Sequence, residues 1–368
     1  LAPSSEAGHD VAVKRALLEA SAGDRRRSVR LLLPGADEGP APRAGRFEPM
    51  REGSSALRLI HGENAMALSA LGLELERRVA LAYLDPPFFT GRVHLKITRQ
   101  RDRAGVLRRE WAPAFDDRWD DLAEYLTSLR LRLSLVRELL TLDGSIVVHV
   151  DPRTSHYVKV LCDEIFGEHA FASEIIWRYR RWPSKTPNFQ RVHDVLLRYV
   201  RDPAQKPRFV QLFEPLAAST RLTWGTGKQR AIVGKDGRRT RSSTMAEASP
   251  GTPLGDVWDI GIIAPVARER TGYPTQKPEA LLERLLSACT RPDDLVLDPY
   301  AGSGTTLTVA ARLGRRAVGI DASPVALRVS EKRLRALGYE PTTERCSRVS
   351  ESPSSSPTSS AVARACDA

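Results

Sequence analysis

The 368-residue chain carries 56 Lys+Arg against 45 Asp+Glu, a formal net charge of +11, with 41% hydrophobic residues. That balance excludes a wholly disordered chain, and no apolar run approaches the roughly 20 residues that span a bilayer. Cys162, Cys289, Cys346 and Cys366 are scattered without a C-x-x-C pair, which excludes a disulfide framework and a cysteine-based zinc site.

Residues 1–55 are rich in Ala, Gly, Pro, Ser and Arg and read as a mostly disordered basic arm, with one short helix near 11–21. Residues 79–84 form an apolar run that stops at Asp85-Pro86-Pro87, a buried strand ended by prolines. A helix is predicted over 118–141, where Leu122, Tyr125, Leu126, Leu129, Leu133, Val136 and Leu140 recur at steps of three and four. Asp143-Gly144 then turns the chain into a buried strand at 145–150. Further on, 279–290 reads as a helix, 294–297 as a strand, 302–304 as a loop, 305–313 as a helix and 316–320 as a strand. Apolar strands alternating with helices predict an α/β fold with a mostly parallel, doubly wound sheet. The Ser- and Pro-rich tail, 343–368, is predicted to be disordered, which leaves one domain over 56–342. The N-terminal residues lack a basic-then-apolar leader pattern, so a cytoplasmic protein is expected.

The positive charge is uneven. Residues 171–250 hold sixteen Lys/Arg against six Asp/Glu, a net of +10, interleaved with aromatic residues such as Trp177, Trp182, Phe189 and Trp224. Cations for phosphates and flat faces for bases are what a nucleic acid selects, although a solvated surface can show the same run.

Two segments at strand ends carry chemistry. In Asp298-Pro299-Tyr300-Ala301-Gly302-Ser303-Gly304-Thr305-Thr306 the glycines let the backbone turn tightly before a helix whose first N–H groups lack partners. Asp321 ends the next strand 23 residues after Asp298, a spacing suited to a carboxylate on ribose hydroxyls. A P-loop is excluded, because no Gly-Lys-Ser/Thr follows. In Asp85-Pro86-Pro87-Phe88 the prolines fix the backbone, and Phe88 adds a flat apolar face. That set suits a heteroaromatic ring bearing an amine. The two amine hydrogens would go to Asp85 and a proline carbonyl, aiming the nitrogen lone pair at a methyl donor. No metal-ligand spacing is present, and His149 and His193 read as structural.

Together these motifs resemble the β group of amino-DNA methyltransferases, in which D-P-P-[YF] precedes D-P-F-x-G-S-G-T-T. RLIHGEN at 58–64, DEIFG at 163–167, EIIW at 174–177, GDVWDI at 255–260 and TGYPTQKP at 271–278 match further family stretches in the same order, so the likeness covers roughly 58–335. It implies a Rossmann-like domain that binds S-adenosylmethionine through Asp298, Tyr300, Gly302, Ser303, Gly304, Thr305 and Asp321, with the Pro274–Pro278 segment, Thr275 and Lys277 in it, shaping the methionine end. It implies that Asp85, Pro86, Pro87 and Phe88 hold a base flipped out of double-stranded DNA, with a target-recognition insert at about 200–255. Arg178, Arg180, Arg181, Lys185, Arg191, Lys228, Arg230, Arg238 and Arg239 are the expected DNA contacts. It allows a homodimer and a cognate restriction enzyme as further partners. Phe88 replaces the usual Tyr, Phe89 stands where Asn is common, and Tyr300 replaces Phe. Asp rather than Ser before Pro-Pro favours adenine N6 over cytosine N4. An RNA or protein methyltransferase would be expected to show N-P-P, and a DNA-binding protein with a dead cofactor site is disfavoured because both motifs are intact.

Overall fold

The computed structural model describes residues 44–348 except 102–106, 184 and 186, so the helix expected near 11–21 and Cys366 lie outside the described residues. Strands β1 (Gly45–Arg51) and β2 (Ser54–His61) lead to α1 (Asn64–Leu75), β3 (Val79–Leu84) and a hairpin of β4 (Arg92–Arg101) and β5 (Leu107–Asp117). Then come α2 (Leu122–Leu139), β6 (Leu140–Val150), α3 (Ser155–Phe166), β7 (Phe171–Arg178) and β8 (His193–Val200). The middle of the chain holds β9 (Phe213–Glu214), α4 (Ala218–Trp224), β10 (Gly227–Val233), β11 (Arg239–Ala248), β12 (Thr252–Pro253) and β13 (Val257–Asp259). The last third is α5 (Glu279–Cys289), β14 (Leu295–Asp298), α6 (Thr305–Arg312), β15 (Arg316–Asp321), α7 (Pro324–Ala336) and β16 (Pro341–Arg348).

Ten strands form one sheet in the order β1-β16-β2-β15-β14-β3-β6-β8-β7-β13. From β16 to β6 every neighbour is parallel, whereas β8 runs antiparallel to both β6 and β7. All six residues of β3 are buried, as a strand covered on both faces requires. Helices α1, α2 and α3 bury one face, with Leu68, Leu71, Leu129, Leu133 and Leu161 in its core. Helices α5 and α6 bury the other through Leu281, Leu285, Leu307 and Val309. This is the Rossmann-like, doubly wound arrangement expected from the alternating pattern. Helix α2 starts where its sequence provides a cap: the Asp121 carboxylate accepts from the Glu124 amide at 2.8 Å. Its buried stripe is Tyr125, Leu126, Leu129, Leu133, Val136 and Leu139.

Both expected disordered ends reach too far inward. Residues 45–55 are not part of an arm, because β1 pairs with β16 and β2 lies inside the sheet. Residues 343–348 are not tail, because β16 runs between β1 and β2. The polar side chains of β16 hide a strand in which Thr343 and Cys346 face inward and are buried. The stretch at 200–255 contributes no strand to the large sheet: β9 with β12, and β10 with β11, form two separate ribbons. Part of the charge at 171–250 is neutralised inside the domain. Arg208 bridges Asp143 and Asp294, and the buried Arg201 pairs with Glu138 at 3.4 Å. Among the described residues no helix is long and apolar enough to cross a membrane.

Candidate active site

Four strands of the sheet run out at an aspartate: β3 at Asp85, β6 at Asp151, β14 at Asp298 and β15 at Asp321. These ends share the carboxyl edge of the parallel block, where open α/β sheets bind ligands. A cavity of about 560 Å³ opens there, and both sequence motifs line it: Asp85 to Phe88 on one side, Asp298 to Ser303, Thr305 and Asp321 on the other. Strands β3 and β14 are hydrogen-bonded neighbours, so residues more than 200 positions apart face one space.

On the Asp85 side, Lys277 donates its ammonium to Asp85 Oδ2 and lies 5.0 Å from the centre of the Phe88 ring. The resemblance implies Lys277 at the methionine end of the cofactor; the structure places its charge on the Asp85 carboxylate. Asp85 Oδ1 is shielded from solvent and has no hydrogen-bond partner among the described residues. Beyond Phe88 the chain turns at Phe89, whose φ of +56° is unusual for a bulky residue. The buried Asp117 at the end of β5 holds that turn, accepting from the amides of Phe89 (3.0 Å) and Thr90 (2.9 Å) and from the Thr90 hydroxyl (2.6 Å). Phe89 turns its ring onto Tyr125, 5.8 Å between centroids, and packs against the core.

Beneath Phe88 lies His149, fully buried, with its ring 5.6 Å from the Phe88 ring. Its Nδ1 meets the Tyr83 hydroxyl at 2.7 Å, and its Nε2 faces Asp194 Oδ2 at 3.5 Å. Burial, reinforced by the charges of Asp85, Asp298 and Asp194, pushes the Tyr83 hydroxyl far up, so it remains a donor. Burial tends to raise Asp194, but His149, Lys277 and Tyr179 outweigh it and hold the carboxyl below its ordinary value. His149 is therefore built into the floor of the site.

On the other side, Gly302 and Gly304 adopt φ of +51° and +72°. A Cβ on Gly304 would lie 2.7 Å from Ser330 Oγ, so the loop and α7 approach as closely as glycine permits. Asp321 accepts from the amides of Gly302 and Ser323, both at 2.8 Å, which aligns the carboxylate with the turn. Asp298 is buried and accepts from the Tyr300 amide at 3.0 Å. Burial pushes its carboxyl up to about 7, although hydrogen bonds from Thr306 and Tyr300 oppose the rise. Ser303 and Thr305 are buried, and Thr305 Oγ1 donates to the Lys277 carbonyl at 3.2 Å. Thr275, at φ +56°, is held by a loop that Gln276 ties together: its Oε1 accepts from the Thr271 amide and hydroxyl, and its Nε2 donates to the Glu269 carbonyl. Volume, glycine cradle and strand-end carboxylate fit S-adenosylmethionine.

The expected DNA contacts divide. Arg180, Arg181 and Lys185 are exposed in the connection between β7 and β8. Arg178 is ion-paired with Asp259 and Arg191 with Asp151. Lys228 and Arg238 are exposed near Glu247 and Asp236, and Arg230 and Arg239 lie on the strands of the β10–β11 ribbon. Sequence reasoning missed Asp117, Gln276 and Arg132, which donates to Asn64 at 2.5 Å and Glu63 at 2.6 Å on the cavity wall. Only Gln276 and Glu63-Asn64 lay within matched motifs.

Residues 79–332 match the N6/N4 methyltransferase family described as DNA methylase. Type II methyltransferase M.EcaI of Enterobacter cloacae is 30% identical over 330 residues, spanning 77% of this chain and 70% of that one. DNA adenine methyltransferase YhdJ of Escherichia coli (strain K12) is 27% identical over 288 residues, spanning 78% and 85%. PvuII DNA methyltransferase (cytosine-N4-specific), at 16% identity, shares the fold with a TM-score of 0.50 over 78% of this chain and 90% of that one.

Proposed function

The chain belongs to the N6/N4 DNA methylase family, and on that premise we propose that it methylates the exocyclic N6 amine of an adenine flipped out of double-stranded DNA. The observation that carries this reading is the open acceptor at Asp85 Oδ1, buried in the same cavity as the glycine turn. A buried oxygen without a donor is costly, and an amine entering over Phe88 supplies one.

S-adenosylmethionine, when bound, supplies an electrophilic methyl group to the amine nitrogen. Asp298, Tyr300, Gly302, Ser303, Gly304, Thr305 and Asp321 would hold it. Asp85 Oδ1 accepts one amine hydrogen and a carbonyl of the Pro86-Pro87 pair the other, which turns the nitrogen lone pair away from the ring. Phe88 presents the stacking face, and the His149 ring packs against it at 5.6 Å with a tilt of 48°. Lys277, seated on Asp85 Oδ2, keeps that carboxylate in place and must yield its position over Phe88 when a ring arrives. Adenine is favoured because Asp opens the Pro-Pro motif, and YhdJ, alike over most of both chains, is named an adenine enzyme.

The test is expression in a host without DNA methylation, followed by nucleoside mass spectrometry and modification-aware sequencing. N6-methyladenine at one recurring sequence is the expected result. N4-methylcytosine would overturn the choice of base, and no methylated base would overturn the activity.

A further inference from the structure

The connection between β7 and β8 leaves two large aromatic side chains in solvent: Trp182 is 90% exposed and Phe189 is 104% exposed. Burying either face would be favourable, yet among the described residues nothing covers them. Arg180, Arg181 and Lys185 stand among them, also exposed. A surface with two bare rings and three cations suits a partner with flat apolar faces stacked between lines of negative charge. Duplex DNA opened at one base step is such a partner.

The placement of the connection is specific. Because β7 is parallel to β13 and antiparallel to β8, which is antiparallel to β6, the end of β7 lies at the same edge as the ends of β3 and β6. Both roots of the connection reach Phe88. At the first root, Arg181 donates to the Tyr179 hydroxyl at 3.2 Å, and Tyr179 donates to Asp194 at 2.9 Å. Asp194 faces His149, on which Phe88 rests. At the second root, Arg191 donates to Asp151 at 3.0 Å. Asp151 also accepts from Arg153, whose guanidinium donates to the Phe88 carbonyl at 3.2 Å. The Gln190 amide donates to the Trp182 carbonyl at 2.8 Å and closes the connection across its neck. A segment whose neck is closed and whose two roots are tied to the base platform can carry force against a stacked duplex.

We propose that the β7–β8 connection is a wedge: Trp182 and Phe189 enter the DNA stack beside the target and fill the space the flipped base leaves, while Arg180, Arg181 and Lys185 hold the flanking phosphates. This rests on the assignment of a flipped DNA base as substrate.

The test uses the full chain and the target duplex found by sequencing, in two forms. In one the target base is paired; in the other it faces an abasic position, so that no base pair has to be broken. Trp182→Ala and Phe189→Ala are expected to lower kcat/KM on the paired duplex about tenfold or more, and to recover to within about threefold of wild type on the abasic-opposed duplex. Trp182→Phe should retain most activity on both. Affinity for S-adenosylmethionine should not change, and 2-aminopurine at the target should lose its fluorescence rise on binding. Equal losses on both duplexes would overturn the wedge, as would no loss on the paired one. So would a change of oligomeric state with kcat/KM intact, which would assign the rings to a second copy. A wild-type chain that methylates cytosine would overturn the adenine reading and leave this test in place with cytosine as the target.

Discussion

At the cofactor end of the cavity the chain turns on Gly302 and Gly304, and its shape follows from residues within the turn and from the contact of Gly304 with Ser330. At the base end, Phe89 also takes a left-handed φ, but nothing in its own chemistry favours it. That conformation is imposed from 28 positions away by Asp117, and Asp85 is held from 192 positions away by Lys277. One end rests on glycines of its own, braced by the Asp321 carboxylate and the Ser330 hydroxyl, and the other is set wholly by remote side chains. A backbone-shaped site should fail through small steric insertions, and a side-chain-held site through loss of distant polar groups.

The largest expected effect removes the acceptor itself. Asp85→Ala should lower methyl transfer by about a thousandfold or more while calorimetry still finds S-adenosylmethionine bound; transfer within tenfold of wild type would remove Asp85 from its assigned role. Gly304→Ala should come next, because it meets both a left-handed φ and the Ser330 side chain. Cofactor affinity should fall about tenfold to a hundredfold, with a loss of about 1–3 kcal/mol in stability. Gly302→Ala, whose Cβ would meet nothing closer than the Tyr273 ring at 3.4 Å, should cost less in both measurements. If the two glycine variants behave alike, the close approach to Ser330 is not what shapes the turn. Asp117→Asn should lower kcat about tenfold with cofactor affinity kept, since it loosens the Phe89–Thr90 turn without touching the ligand. An effect confined to cofactor binding would place Asp117 at the wrong end of the cavity.

The smallest effect concerns pH. Asp298 has its folded carboxyl raised to about 7 against an ordinary value of 3.8. Between those values the folded chain keeps a proton that the unfolded chain has released, so stability present in acid is lost as pH rises through about 7. Asp298→Asn should remove this contribution, and thermal unfolding at pH 5 and pH 8 should then differ less than in wild type.

The same contrast explains what could be read in the sequence. The run at 79–84 and the strand before Asp298 are fully buried, so their composition alone marks them, and the stripe of α2 is regular enough to locate its buried face. The glycine turn is legible because its cause lies within it. Strands β1 and β16 are not, since they are edge-side strands with many polar residues, and they read as parts of disordered ends. Lys277 sits in a recognisable motif, yet its target depends on the adjacency of β14 and β3 and on the path of the loop before α5. His149 looked like a core histidine, and it is buried as one. What the strand's pattern could not show is that Asp194 and Tyr83 would meet its two nitrogens beneath Phe88.

The strand order also bears on how the molecule is made. Strands β2 and β3 are separated in the sheet by β15 and β14, which are synthesised more than 200 residues later. A nascent chain that has emerged only as far as β8 therefore lacks the two strands that must lie between its own first elements. Such long-range pairing gives a high contact order and slow folding, with β3 lacking its β14 neighbour meanwhile. A truncation before β14 should leave no partly competent enzyme. The cavity closes only when the last third of the chain inserts, so binding of both substrates waits on a complete polypeptide.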